Sequence, residues 1–336
     1  MSAPGNSCIG FSTPLPWCNV LLAASEKKDT DTNRSGTSLS LQSLIDLRHE
    51  IIRKRDSGQT GRTGFPGQRM GIRRGQGMEF IDLRQYNEAD DVRHIDWNVT
   101  ARSTEPYTRL YREEREHICT VVADLRPVMF NGSDCLRAVA AGRLASLLLW
   151  QSCHSGDRTS AIVLYTSGIK STRPASGKKG VLQSLELIVN CFDETKHAVK
   201  ANRLDSQTPP QLPEALQLVN SKATGICFSG FDDSAVPDFH ITGKSASGQL
   251  RAVLLLDRLE QQVLPAGKYN YTQRGTANSG VKSVQINRSN AKLLSKSLAA
   301  DVRARQQTLN AAGVPMITVS TTTPPADFLP LVHHWV

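Results

Sequence analysis

Zinc modules, disulfide frameworks, membrane spans and the common catalytic signatures are all missing from this sequence. Its seven cysteines (Cys8, Cys18, Cys119, Cys135, Cys153, Cys191 and Cys227) are scattered, with no C-x-x-C and no Cys/His pair at ligand spacing. That excludes the usual zinc sites and points to reduced thiols in a cytosolic compartment. No apolar run reaches the roughly eighteen residues a membrane span needs, and the N-terminus lacks the basic stretch that opens a secretory signal. The expectation is a cytoplasmic chain with no membrane span. No G-x-S-x-G, H-E-x-x-H or G-x-G-x-x-G occurs. Thr242-Gly243-Lys244-Ser245 has the tail of a phosphate-binding loop, but Asp238 stands where the leading glycine belongs. His117, His154, His333 and His334 have no companions at ligand or triad spacing. The chain is therefore expected to have no catalytic residue and no cofactor.

What is present suits a globular protein. The 336 residues are 39% hydrophobic, enough for one large domain or two ordinary ones. A net charge of +9 permits an acidic partner without requiring one. The basic, Gly-rich segment 53–74 supports a nucleic-acid binder as one alternative, since its donors could converge on phosphate. Aromatic residues for base stacking are nearly absent there, so a solvated hairpin is the simpler reading and nucleic acid is not the expected partner.

Between Gly77 and Arg102, Asp82, Asp90, Asp91 and Asp96 alternate with Arg84, Arg93 and Arg102 around spaced large apolar residues. Neither a plain amphipathic helix nor a plain strand needs that pattern. Forked guanidinium groups hold carboxylates in two-bonded pairs. The stretch therefore reads as a salt-bridged clamp of Arg84, Tyr86, Asp90, Asp91, Arg93, Asp96, Trp97 and Arg102 that pins the preceding segment onto a core. On that reading Arg84, Asp90, Asp91, Arg93 and Asp96 are mainly paired and substantially buried. The alternative is a metal-dependent hydrolase using Asp90, Asp91 and Asp96, because hard cations take carboxylate oxygens. The clamp is favoured: no His or Cys accompanies the carboxylates at ligand spacing, and each has an arginine nearby.

The run from Gly75 to Gly156 resembles the bacterial family called domain of unknown function 58. Its members read approximately G-x-G-x-E-F-x-x-x-R-x-Y-x-x-G-D-D-x-R-x-I-D-W-x-x-x-A-R, followed by a strand ending D-x-S-x-S. Phe80, Arg84, Tyr86, Asp90, Asp91, Arg93, Ile95, Asp96, Trp97, Ala101 and Arg102 match as they stand. Ala89 departs, standing where the family usually has a glycine that tolerates positive φ. Weaker similarity continues to about Val319.

Three regions are expected: an unpacked tail (1–38), an appendage of helix, Gly/Arg-rich segment and clamp (39–115), and an α/β domain (116–325). A helix of about fifteen residues should start at Ser40 and end in Arg53-Lys54-Arg55, and Pro106 to Glu116 is strand-like. His117–Asp124 is a short apolar run ending in a carboxylate, which suits a buried parallel strand. A helix over Cys135–Gln151 and a strand over Arg158–Tyr165 complete a right-handed βαβ unit. Helices follow at Gly180–Asn190, Glu214–Ser221 and Asn290–Ala312, with a Pro-rich linker at Thr208–Pro213. Strands follow at Gly225–Ser229, Ala252–Asp257 and Met316–Ser320, with a hairpin within Gly267–Gln285. The alternation predicts a doubly wound, mostly parallel sheet with ligands at the carboxyl ends of its strands.

The resemblance implies a von Willebrand factor type A-like domain. In type A domains the D-x-S-x-S oxygens, a distant Thr and a second Asp hold Mg²⁺. Here the loop is Asp124-Leu125-Arg126-Pro127-Val128: arginine offers no acceptor and valine no oxygen. Where relatives read S-D-F, this chain has Ser229-Gly230-Phe231, with Asp232 and Asp233 out of register. The site formed by Asp124, Arg126, Val128 and Gly230 is therefore expected to be degenerate and without metal. Arg126 either lies at Asp124 in place of the ion or points to solvent. The resemblance further implies a non-enzymatic interaction module that works with a MoxR-type AAA+ ATPase on an unidentified client protein.

Overall fold

The computed structural model describes residues 20–22, 36–51, 78–87, 90–103, 105–113, 117–201, 212–232, 250–262, 266–273, 282–332 and 335. The segment 53–74, Ala89, Asp233, the Thr242–Ser245 motif, His333 and His334 lie outside the described residues. The chain divides into two compact units, one made of 1–61 with 118–336 and one of 62–117. In chain order the first elements are β1 (Val20–Leu22), α1 (Leu41–Asp46), β2 (Met78–Gln85), α2 (Trp97–Thr100) and β3 (Tyr107–Glu113). Next come β4 (Ile118–Asp124), α3 (Arg137–His154), β5 (Arg158–Tyr165), β6 (Gly168–Ser171), α4 (Gly177–Lys200), α5 (Leu212–Gln217) and β7 (Ala223–Ser229). The last are β8 (Leu250–Leu256), α6 (Arg258–Gln261), β9 (Gly267–Gln273), β10 (Lys282–Ile286), α7 (Arg288–Ala311), β11 (Met316–Ser320) and α8 (Pro325–Val332).

The larger unit is built on a six-stranded sheet in the order β11-β8-β7-β4-β5-β6. Every neighbouring pair is parallel except β5 and β6. Alternation along each strand divides the core in two. Val121 and Ala123 of β4, Val163 of β5, Phe228 of β7 and Leu255 of β8 pack on one face with α3 and α4. Val122, Ile162, Cys227 and Leu254 pack on the other with Leu212 and Leu216 of α5 and Val302 and Leu309 of α7. Burial on both faces is why β4 carries a nearly unbroken apolar run. The expected doubly wound α/β architecture is what the sheet and its flanking helices form. The expected hairpin is β9 with β10, and β1 pairs with β9 on its other side. That strand lies in the part of the chain expected to be unpacked.

Three differences from the sequence reading have local causes. α1 begins at its expected start, where Ser40 caps it by accepting from Ser43 N, but it packs in the larger unit instead of forming an appendage with 62–117. Leu44 is fully buried, and the Trp150 indole N–H donates to the Leu44 carbonyl at 3.0 Å. Just before the helix, Leu39 packs close over Gly142 of α3, where a Cβ would stand 2.7 Å from Leu39 Cδ2. The short edge strand β6 has no apolar alternation to betray it. The final helix α8 hides behind Pro324, Pro325 and Pro330, which read as breakers; Pro325 is the first helical residue, where its missing N–H costs nothing.

In the smaller unit β2 and β3 form an antiparallel hairpin with an irregularity between Phe80 and Asp82. Between the strands lie a 3-10 turn (Val92–His94) and the single turn α2. Their connection is fastened to β3 by Asp96 N donating to Tyr107 O at 2.8 Å and by a bridge between Ile95 and Thr108.

Because Leu44 is anchored by both its side chain and its carbonyl, Leu44→Ala should destabilise the larger unit by about 2–5 kcal/mol. Urea unfolding followed by Trp fluorescence measures the loss.

Candidate strand-end site and its counter-charges

The chain leaves β4, winds outward through β5 and β6, then crosses back to start β7 on the other side of β4. The order therefore reverses between β4 and β7, where the loops leaving their carboxyl ends diverge and open sheets bind ligands. Asp124 is the last residue of β4 and Ser229 the last of β7. Both side chains are buried, and Ser229 Oγ donates to Asp124 Oδ2 at 2.7 Å.

Arg126 is buried at the same strand end. It is 1% exposed, and it folds back on Asp124 with Nε 2.9 Å from Oδ1 and Nη2 2.7 Å from Oδ2. Its backbone N–H donates to Oδ1 at 3.2 Å. The solvent-facing alternative for Arg126 is thereby overturned. Arg126 occupies the N-cap position of a 3-10 turn, Pro127–Met129, without capping it through its side chain, and the turn buries Val128 and Met129 in the core. Burial alone would raise the Asp124 carboxyl, but the charge and forked bonds of Arg126, joined by Ser229, hold it below the ordinary carboxylate range.

Beside this pair lies a second cluster that the spacing of the residues had concealed. Arg137, in the first turn of α3, donates to Asp232 Oδ2 at 2.7 Å and to Glu260 of α6. Arg305 of α7 donates to Asp232 Oδ1 at 2.8 Å and to Glu260 Oε1 at 2.6 Å, and its Nη1 also reaches Gly230 O at 2.8 Å. All four side chains are 12% exposed or less. Burial would raise Glu260, yet Arg137 and Arg305 outweigh it and keep its carboxyl below the ordinary value. Asp232, out of register along the chain, is in place in space: its Oδ2 lies 2.5 Å from where a Cβ on Gly230 would stand, and Arg137 Nη1 lies 2.8 Å from it. The only signals in the sequence were charges 95 and 123 residues from Arg137, a separation that no local pattern reveals.

The clamp residues are engaged differently from expectation. Arg84 pairs with Asp90, but the arginine is 46% exposed and Asp90 17%. Asp91 accepts from Arg93 N, capping the 3-10 turn, while the Arg93 side chain is exposed. Asp96 is buried, caps α2 through Asn98 N and Val99 N, and pairs at 2.8 Å with Arg109, a partner outside the expected set. The Arg109 hydrogen bond lowers the Asp96 carboxyl. Tyr86 is half-buried, and Trp97 and Arg102 are exposed. The expectation of substantial burial therefore fails for Arg84 and Arg93, because the stretch is a hairpin with capped turns and its arginines reach along the surface.

The three carboxylates of the hydrolase alternative thus serve as caps or ion-pair partners. No group of three or more His, Cys, Asp or Glu among the described residues is placed to hold a metal ion. Burial pushes the Cys119 thiol up to about 12 and those of Cys135 and Cys191 to about 11, so they are not thiolates at neutral pH.

These features define a doubly wound α/β protein carrying an inserted hairpin unit, with a strand-end crevice occupied by its own side chains. The chain belongs to the family described as "Protein of unknown function DUF58", which matches residues 82–307. Over 111 residues it is 33% identical to "Uncharacterized protein Rv1480" of Mycobacterium tuberculosis and to "Uncharacterized protein Mb1516" of Mycobacterium bovis. The match covers 32% of this chain and 33% of each relative, so the chain spans about a third of the length of these curated relatives. Similar solved structures include an aerotolerance-related membrane protein from Bacteroides fragilis (TM-score 0.35, 11% identity) and the conserved hypothetical protein BatB from Bacteroides thetaiotaomicron (TM-score 0.35, 13% identity). Each comparison covers 65% of this chain, with 97% and 96% of the other chain respectively. No described helix is long and apolar enough to cross a membrane.

Arg93→Ala should change stability by no more than about 0.5 kcal/mol, as at other exposed positions, whereas Asp96→Ala should lower the melting temperature by removing a cap and the Arg109 partner together. Differential scanning calorimetry of the two variants separates them.

The lowered Asp124 and Glu260 carboxyls set the acid limb of stability. Their contribution is full above the unfolded carboxyl values of about 3.9 and 4.3 and is lost as pH falls through the lower folded values. Circular dichroism from pH 7 downward should therefore show the α/β signal holding through pH 5 and collapsing below about pH 4.

Proposed function

We propose that this chain is a non-enzymatic protein-interaction module that works with a MoxR-type AAA+ ATPase in the assembly or maturation of a client protein. The observation that carries the reading is the closed crevice between β4 and β7. Where a doubly wound enzyme would admit a small substrate, Asp124 and Arg126 pack against each other at 1% exposure. The loops at the strand ends are left to work as a surface, which suits a protein partner better than a metabolite. Type A-like character draws support from the convergence of Asp124 with Ser229-Gly230-Phe231, the two places from which such domains supply their ion's oxygens. The ATPase partnership rests on the family resemblance. The cytoplasm is the compartment this reading requires, and the free thiols of Cys119, Cys135, Cys153, Cys191 and Cys227 are compatible with it.

The tagged full-length chain should recover an AAA+ ATPase from lysate of its own cells, and the purified chain should bind that ATPase directly and alter its rate of ATP hydrolysis. A chain that binds no such ATPase, or that hydrolyses phosphoesters in an Mg²⁺-dependent reaction lost with Asp90→Asn, would replace this reading with the hydrolase alternative.

A further inference from the structure

We infer that Arg126 is the built-in cation of the strand-end crevice: its guanidinium holds the place at Asp124 that a divalent ion takes in type A domains, so the Asp124 carboxylate is neutralised without metal. The inference concerns the crevice itself and does not depend on which protein docks there.

Acceptor geometry supplies the first argument. An ionised carboxylate offers about four lone-pair positions. At Asp124, Oδ1 takes the backbone N–H and the Nε–H of Arg126, and Oδ2 takes Arg126 Nη2 and Ser229 Oγ. Four donors leave no oxygen electron pair for an ion. Local charge supplies the second. Asp124, Asp232 and Glu260 are met by Arg126, Arg137 and Arg305. A further carboxylate, Asp257, has its oxygens directed to Ser133 N and Oγ and to Leu259 N as the cap of α6. A divalent ion would meet a guanidinium charge with no water between to screen it.

The third argument comes from Gly230. The second aspartate of type A sites would stand there, and its space is filled by the Asp232 carboxylate and the Arg137 guanidinium. The acid has moved two positions along the chain and is fully held by Arg137 and Arg305. Val128, at the place of the second serine, is buried in the core. The residues at this crevice therefore do not fit Mg²⁺, and they fit a fixed monovalent cation.

Mn²⁺ serves as the probe, with the full-length chain followed by thermal melting and by electron paramagnetic resonance of free Mn²⁺. The wild-type chain should melt at the same temperature in EDTA and in millimolar Mn²⁺ and should take up no ion saturably. Arg126→Ser vacates the place and leaves Asp124, Ser229 and a new hydroxyl facing it. That variant should melt lower in EDTA, regain part of the loss in Mn²⁺, and lose the regain when Asp124→Asn is added. Arg126→Lys keeps a cation and should stay indifferent to Mn²⁺. One-to-one Mn²⁺ uptake by the wild-type or Arg126→Lys chain overturns the inference, as does a folded Arg126→Ser that ignores Mn²⁺. If Arg126→Ser folds only with Mn²⁺ present, the inference stands; if it folds in neither buffer, the wild-type and Arg126→Lys arms decide. None of these readouts involves the ATPase, so the proposed partnership can fail separately.

Discussion

A carboxylate and a guanidinium two residues apart, both withdrawn from water at the end of the central strand, set the terms for the rest of the larger unit. Taking two charges out of water is expensive, and their attraction repays it only when the geometry is good and every remaining donor and acceptor is satisfied. That requirement reaches outward from Asp124 and Arg126. It calls for a hydroxyl at the end of β7, which Ser229 supplies while accepting from Phe231 N at 3.0 Å. Phe231 in turn sits at φ 51, a left-handed conformation that a bulky residue adopts only when its surroundings over-determine it. Its ring is buried with the α5 and α7 face of the core.

The neighbouring cluster of Arg137, Arg305, Asp232 and Glu260 extends the same logic to the helices. A cation in the first turn of a long helix opposes the helix dipole, and Arg137 is tolerated because two carboxylates face it. Those carboxylates belong to the loop after β7 and to α6, and the second arginine to α7. One polar cluster therefore fixes the relative positions of elements that the apolar core alone would let slide, since packing against a sheet face is only weakly directional. Specificity of arrangement is the use such buried charges serve best.

Much of this fold was legible because its elements are locally self-consistent. The β4 run ending in Asp124, the Arg158–Tyr165 strand, the Met316–Ser320 strand and the helix start at Ser40 each carry their signal within a few residues. What escaped lacks a local signal. β6 is four residues of a polar edge, α8 is hidden by prolines, and α1 finds its partner Trp150 far along the chain. At the site, the lack of side-chain oxygens at Arg126, Val128 and Gly230 is legible from residue chemistry. The cluster of Arg137 with Glu260 was not, because a pairing set by tertiary folding leaves no periodicity. The clamp divides: Asp96 is buried and ion-paired, but with Arg109 of β3, while Arg84 and Arg93 reach along the surface, an exposure that alternating charge in the sequence does not reveal.

The anchoring of α1 has a bearing on how the protein reaches this state. The Trp150 to Leu44 hydrogen bond closes a span of 106 residues, with the whole hairpin unit lying between its ends along the chain. Loop-closure entropy must be met before such a contact stabilises anything, and contacts of long sequence separation slow folding. During synthesis α1 emerges well before α3, and at six residues it is too short to persist as a helix alone. Its apolar side, with Leu44 at the centre, must therefore wait uncovered until α3 has been made. This early segment is thus one that a nascent chain leaves in need of shelter until α3 follows it.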